Sequence, residues 1–371
     1  MEIRIDREEL YKSISRVQSI IERKSNMPIL STVLLTASAS EVHVSATDLE
    51  LGFQQVVSAN VIQEGGITIS GRKLFEILKE SKASNFHIKE REGNWVYISD
   101  DVARFNLACM AADEYPVFTE PEGVSMVEAD GEKISEMINK TIYSVTREDA
   151  GFKLSGVLIQ KVVNGGNTLL RMVATDGHRL SMIDKSVTGL DSLELGDGIM
   201  IPKKGMFELN KMASEGGLIR IGFKDKNCVA KRENIFLMIR LLDTRFPDYK
   251  AVIPEKLQYI VDINRVVILD AMRKMLILSN ERYRAVKIVL EDDTMELIST
   301  NPDLGEAQEN IKVVYSGERM EAGFNPQYFL DTLQSMESTV IHMGFIDNSK
   351  PCILTGEADE GFLGLLMPMK I

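Results

Sequence analysis

Leu10, Ile14, Val17 and Ile21 recur at the spacing of a helix with one buried face, while Lys12, Arg16 and Arg23 fall on the other side. Ile134, Ile138 and Ile142 repeat the stripe later in the chain, with Lys133, Lys140 and Arg147 outside it at seven-residue intervals. An aspartate opens each such helix: Asp6, Asp130 and, in a third pattern, Asp262. Asp6 with Glu9 fits a capping box, where one carboxylate caps the helix and the other reaches back. Between helices the period drops to two. Val33-Leu-Leu, Val42-His-Val-Ser, Phe86-His-Ile-Lys and Trp95-Val-Tyr-Ile alternate as half-buried strands do. Asn164-Gly-Gly-Asn and Asp197-Gly mark turns.

These elements come round three times. Ser45-Ala-Thr47-Asp48-Leu49-Glu50, Val173-Ala-Thr175-Asp176-Gly177-His178 and Ile298-Ser-Thr300-Asn301-Pro302-Asp303 place their threonines 128 and 125 residues apart. That period is about a third of the chain, far beyond the roughly 20–50 residues of a solenoid repeat. After each threonine comes a second helix, signalled by Ile69-Ser-Gly-Arg-Lys-Leu-Phe75, Ile201-Pro-Lys-Lys-Gly-Met-Phe207 and Phe324-Asn-Pro-Gln-Tyr-Phe-Leu330. Pro202 and Pro326 stand where proline is tolerated, at or before a first turn. Tyr115-Pro116 and Phe246-Pro247 close the first two copies alike. The expectation is three similar α+β domains, 1–122, 123–250 and 251–371, each a two-helix layer on a multi-stranded sheet.

Charge changes the picture more than composition does. The chain of 371 residues carries a net −12, which by itself argues against phosphate contact. Yet the six helical segments 7–24, 71–82, 131–147, 203–211, 262–284 and 325–337 together carry +7, leaving −19 for the remainder. Arg72 and Lys79 align with Lys204 and Lys211; Arg265, Arg273, Lys274, Arg282 and Arg284 crowd the third copy. Lysines and arginines without interleaved aromatics suit sequence-blind phosphate contact rather than base reading. Cys109, Cys228 and Cys352 form neither a disulfide framework nor a metal pair, and the four histidines lack ligand spacing. No apolar run approaches a membrane span. A reducing cytoplasm, no metal and no cofactor are expected. An enzyme built on Asp176, His178 and Ser181 has no supporting elbow, phosphate loop or carboxylate pair.

Thr175-Asp-Gly-His-Arg-Leu180, Arg245-Phe-Pro-Asp-Tyr249, Ile277-Leu-Ser-Asn-Glu281, Tyr315-Ser-Gly317 and Met367-Pro-Met-Lys-Ile371 closely resemble the bacterial DNA polymerase III β subunit family, the β sliding clamps. The resemblance covers the chain from Asp6 to its last residue. It implies a non-catalytic processivity factor with the DNA clamp fold: a head-to-tail homodimer of three-domain subunits closed into a ring, helices inside and sheet outside. Duplex DNA would be encircled without sequence preference. A clamp loader, the replicative polymerase and other proteins carrying clamp-binding peptides would be its partners.

Residue by residue, the resemblance implies a partner-peptide pocket at Leu154, Thr175, Gly177, His178, Arg179, Leu180, Pro247, Val252, Leu365, Leu366, Met367, Pro368 and Met369. Ala251 stands where the family often has arginine, and Lys370-Ile371 where it has Arg-Leu. DNA-facing positions would be Lys12, Arg16, Arg23, Lys24, Arg72, Lys79, Lys133, Lys140, Arg147, Lys204, Lys211, Arg273 and Arg282. Phe152 and Lys153, in a loop where Glu148 replaces a family glutamine, join them. At the dimer contact, Lys73, Arg104, Phe105 and Leu107 would face Ile277, Leu278, Glu306 and Glu309. Phe105 and Leu107 lie in an alternating strand and read equally as core.

Overall fold

The computed structural model describes residues 1–21, 26–116, 118–146, 155–279 and 285–370. Six helices appear where the stripes place them: α1 (Arg7–Val17), α2 (Gly71–Glu80), α3 (Gly131–Asn139), α4 (Lys203–Ala213), α5 (Arg265–Leu278) and α6 (Pro326–Ser335). They pack as pairs, α1 on α2, α3 on α4 and α5 on α6. Each turns its apolar side inward, as Leu10, Ile14 and Val17 do on α1. Among the described residues no helix is long and apolar enough to cross a membrane.

Helix starts follow local chemistry. Asp6 accepts the Glu9 N–H at 3.0 Å, so its carboxylate satisfies a donor that the first turn leaves unpaired. Glu9 does not need to reach back, because its carboxylate pairs with Lys12 at 3.3 Å. In the third copy the cap is Asn264, which accepts from the Val266 and Val267 N–H groups. Asp262, expected to open that helix, lies in the strand Tyr259–Asn264 and binds His342 at 2.6 Å. An asparagine two residues downstream served the helix better than the aspartate that the repeat suggested.

The repeated threonine has a shared function in two copies. Thr47 donates to the Leu51 carbonyl at 2.6 Å and accepts the Leu49 N–H, while Asp48 accepts the Glu50 and Leu51 N–H groups. Thr175 and Asp176 make the same four bonds with Arg179, Gly177, His178 and Arg179. This tight hairpin needs a left-handed residue after the aspartate; Leu49 (φ 76°) and Gly177 (φ 85°) supply it. In the third copy the repeat shifts by one. Thr300 is exposed, and Asn301, buried, accepts the Asp303 N–H and pairs with Gly305. Asparagine replaces threonine because its amide oxygen reaches the same N–H two residues on.

The chain gathers into two compact units, Met1–Glu128 with Leu218–Arg240, and Ala129–Gly217 with Leu241–Ile371. The middle copy is therefore divided between them. In the first unit its hairpin strands continue the first copy's sheet, where Ile235–Arg240 pairs antiparallel with Leu51–Gln63, Ile239 opposite Leu51. In the second unit the eight-stranded sheet runs across the boundary between copies two and three, Arg179–Lys185 pairing with Phe362–Leu366. A separate four-stranded sheet of the third copy, ending at the edge strand Gly305–Lys312, backs α5.

Candidate partner pocket and nucleic-acid interface

Where Arg179–Lys185 meets Phe362–Leu366, side chains from both copies form one apolar cluster. Leu158, Val173, Leu180, Met182, Met200, Tyr249, Ile353 and Leu365 are buried in it, and Leu242, Phe246, Ile253, Leu363 and Met367 cover it while partly exposed. Of the expected pocket residues, Leu180 and Leu365 form its floor. Met367 sits at its rim, its N–H donating to the His178 carbonyl at 2.9 Å. Met369 is pinned by donation to the Gly323 carbonyl. The chain is thus held in place as far as Met369. Val252 and Pro247 are exposed beside it. Thr175 and Leu366 are buried; Thr175 serves its hairpin, and Leu366 lies in the strand opposite Arg179. Leu154 lies outside the described residues.

Arg179 is a bracket. Its guanidinium donates to Asp331 and the Tyr143 carbonyl at 2.6 Å each and to Asp176 at 3.0 Å, with the Tyr328 ring 4.7 Å beneath it. His178 stacks on Tyr328. A delocalised cation offering its donors in a planar fork suits this multi-partner role.

Sequence reasoning missed much of the wall. Tyr249 stands out in the sequence only as part of a motif, yet its hydroxyl takes bonds from Gln160 and from Arg171, which is itself clamped two-pronged on Asp184 at 2.6 Å. Leu242, Ile253 and Leu363 carry no signal in the sequence, and Phe246 stands out only in its pair with Pro247. They come from two separated stretches, 242–253 and the strand of Leu363, which only the folded chain brings together. The Phe246-Pro247 ending that closes the second copy was the one visible signal.

The helix cations divide. Lys12, Arg72, Lys79, Lys133, Lys211 and Arg273 are exposed. Several are paired along their own helix: Lys12 with Glu9, Arg72 with Glu76, Lys211 with Glu208 and Arg273 with Asp270, at 2.9–3.3 Å. Lys204 is half-buried and Arg16 half-exposed. Lys140 departs from the expectation. It is only 2 % exposed and reaches inward to Asp359 at 2.7 Å and Glu136 at 2.9 Å. Burial works against its charge, but the two carboxylates outweigh that and raise its pKa. So buried, it is not placed to face DNA; Lys140 caps α3 with its N–H still on the Glu136 carbonyl, and it is the carboxylate of Asp359 brought alongside by the third copy that turns its side chain inward. Arg23, Lys24, Arg147, Phe152, Lys153 and Arg282 lie outside the described residues.

Among the described residues, two of the strands that end a sheet carry residues expected at the dimer contact. Arg104–Ala108 ends the first unit's sheet, with Arg104 exposed and Phe105 and Leu107 half-buried. Gly305–Lys312 ends the four-stranded sheet, carrying Glu306 exposed and Glu309, which meets Lys274 at 2.6 Å. Ile277, on the last turn of α5, is 75 % exposed, and Leu278 beside it is half-buried. Lys73 pairs with Glu76 at 2.8 Å. Among the described residues no cluster could hold a metal ion.

Models of the DNA polymerase III beta subunit match the chain along nearly all its length: the N-terminal domain at residues 1–119, the central domain at 128–248 and the C-terminal domain at 250–370. The beta sliding clamp of Chlamydia pneumoniae is 30% identical over all of this chain and 99% of its own length. That of Pseudomonas aeruginosa is 30% identical with both chains fully covered. Among solved structures, a sliding clamp (DNA polymerase III subunit beta) from Bartonella birtlesii, bound to griselimycin, superposes with a TM-score of 0.94 at 29% identity, each chain covered in full. The polymerase III beta of Caulobacter crescentus superposes at 0.93 and 28%, again with full coverage.

Proposed function

This chain belongs to the DNA polymerase III beta subunit family, and as a sliding clamp it is the non-catalytic processivity component of that polymerase; we propose that two copies close head to tail around duplex DNA. The observation that carries this reading is the match in charge and apolar side chains between two of the strands that end their sheets. A long unpaired edge is an aggregation hazard unless something covers it, and the two edges complement one another. Arg104 on the first would oppose Glu306 and Glu309 on the second, while Phe105 and Leu107 would meet the exposed Ile277 and half-buried Leu278 at the end of α5. A head-to-tail contact between different surfaces gives a closed ring only when the rotation closes; closure would leave neither edge bare.

A ring has no need of tight DNA binding. Residence comes from encirclement, and strong phosphate contact would stall sliding. The short-range pairs on α1, α2, α4 and α5 suit this. Each neutralises part of a cation's field, leaving a weak, salt-sensitive attraction. Polymerase and other partners would dock through an apolar peptide laid over Leu180, Leu365, Met367, Phe246 and Val252, where the flexible thioether of Met367 adapts to different side chains. Griselimycin, which is bound in the Bartonella relative, is the probe we propose for that pocket. Loading would fall to a separate clamp loader.

The test is retention. The protein loaded on nicked circular DNA stays bound and leaves once the circle is cut linear; equal loss from both forms excludes encirclement. Removing residues 367–371 abolishes polymerase stimulation and leaves the chain a dimer. A truncated chain that becomes monomeric would overturn the separation of pocket from ring contact.

A further inference from the structure

The joint between the second and third copies is short. Five residue pairs form it, from Arg179 opposite Leu366 to Ile183 opposite Phe362. A pairing so brief leaves the two layers behind it free to tilt unless side chains hold them. Both ends are held by partly or fully buried charges. At the pocket end, Arg179 reaches Asp331 of α6 and the Tyr143 carbonyl. At the far end, Lys140 reaches Asp359, whose carboxylate is completely buried.

The far clamp is fully satisfied. Asp359 also accepts the Glu337 N–H at 2.9 Å and the Ser338 N–H at 3.0 Å, together with the Ser338 hydroxyl. Lys140 lies over the Phe362 ring, 5.8 Å from its centre. Glu136 is shared between Lys140 and Lys185, the last residue of the Arg179–Lys185 strand, at 2.9 and 3.0 Å. One cation thus ties the α3 end of the second copy to the turn that launches the third copy's last strand. A buried pair of this kind is a weak source of net stability, but its directional bonds accept only one arrangement, whereas an apolar contact tolerates sliding.

We propose that Lys140 and Asp359 are positioning residues for the partner pocket: they set the register and angle at which the third copy's last strand meets the second copy, without touching peptide or DNA. The inference rests on the docking reading above. The pocket's floor takes Leu180 from one side of the joint and Leu365 from the other, and Met367 continues the same strand to the rim. Lys140 acts about 14 Å away along that strand, so a tilt at its end moves Leu365 and Met367 relative to Leu180.

The experiment compares Lys140→Met, Lys140→Arg, Asp359→Asn and the Lys140→Met/Asp359→Asn double variant in the full chain. Griselimycin affinity, retention on closed circular DNA across a salt series, and urea unfolding are measured for each. Lys140→Met weakens griselimycin binding by about tenfold, equivalent to ~1.4 kcal/mol, while the salt dependence of DNA retention matches the wild-type chain. Lys140→Arg, whose fork can still span both carboxylates, recovers most of the affinity. The double variant, with no orphaned charge, regains stability but not affinity; it is the deciding comparison if the single variants fail to fold. Wild-type affinity in a folded double variant overturns the inference, as does a shallower salt dependence with affinity intact. If the wild-type chain itself takes no griselimycin, the docking reading falls separately. Hydrogen exchange at the Leu363 to Met367 amides then decides, since the double variant must accelerate it and unchanged exchange refutes positioning.

Discussion

The chain joins its copies twice by the same device, an antiparallel pairing of five residues, and it finishes the two joints in opposite ways. At the first, Ile235–Ile239 lies against Leu51–Gln55, and aromatic packing closes the gap. The Phe118 ring stacks parallel to Phe236 and lies directly over Gly52, where an added Cβ would come within 2.5 Å of it. At the second joint Leu180 holds the position equivalent to Gly52, each pairing with its hairpin threonine. There the side chain belongs to the scaffold strand itself, and ions rather than aromatics hold the ends. The first joint keeps a cavity of about 360 Å³ whose walls mix Glu50, Asp225, Lys226 and Arg240 with Leu51 and Met238. The second presents Met367, Phe246, Ile253 and Leu363 half-covered. One backbone design serves two ends, and the side chains at equivalent positions decide which joint offers an apolar berth.

The largest effect is expected at the second joint. Lys140→Met leaves the buried Asp359 without its cation and should cost about 3–5 kcal/mol in urea unfolding; a loss below ~1 kcal/mol would mean the clamp is not needed. The same pair sets an acid limit. Burial pushes the Asp359 carboxyl up, but Lys140, the Ser338 hydroxyl and the Glu337 and Ser338 N–H groups together hold it below its ordinary value of 3.8. Its contribution is therefore fully present above that pH and drains away as pH falls through the lowered folded value. Asp359→Asn should flatten stability against pH over that acid range and leave the slope near neutral pH unchanged. Lys140, with its pKa raised, loses its part only on the far alkaline side.

At the first joint, Gly52→Leu imports the second joint's side chain and collides with Phe118. Overpacking of this kind costs about 1–3 kcal/mol, and adding Phe118→Ala should return most of it, which a double-mutant cycle in urea reads directly. No coupling between the two would mean that the joints differ by more than this exchange. The smallest effect belongs to Tyr249→Phe. The change keeps the ring in the cluster but strips Gln160 and Arg171 of a shared acceptor, for a loss of about 1 kcal/mol. Thermal unfolding should register it as a shift of about 1–2 °C, without change in oligomeric state.

Helix positions, strand positions and the threefold order were legible because they depend on local periodicity and on hairpin chemistry. The Thr47 and Thr175 hairpins repeat bond for bond since every partner lies within four residues. The errors come from the same source. Asp262 and Thr300 looked equivalent to earlier copies in spacing, yet Asn264 caps the helix and Asn301 takes the turn, each making the same bond one or two residues on. Lys140 looked like a surface cation because only spacing was available to judge it.

By itself the sequence determined the modules, the cationic bias of their helices and the family to which the chain belongs, all properties written within short stretches or in overall order. Tertiary structure alone decided that the middle copy is shared between two compact units, that Lys140 turns inward, and that Leu242, Phe246, Ile253 and Leu363 share one apolar cluster. The physical reason is that burial and ion pairing depend on what a distant strand brings alongside. Lys140 meets Asp359, 219 residues further along the chain, and no periodicity within α3 carries that partner's address.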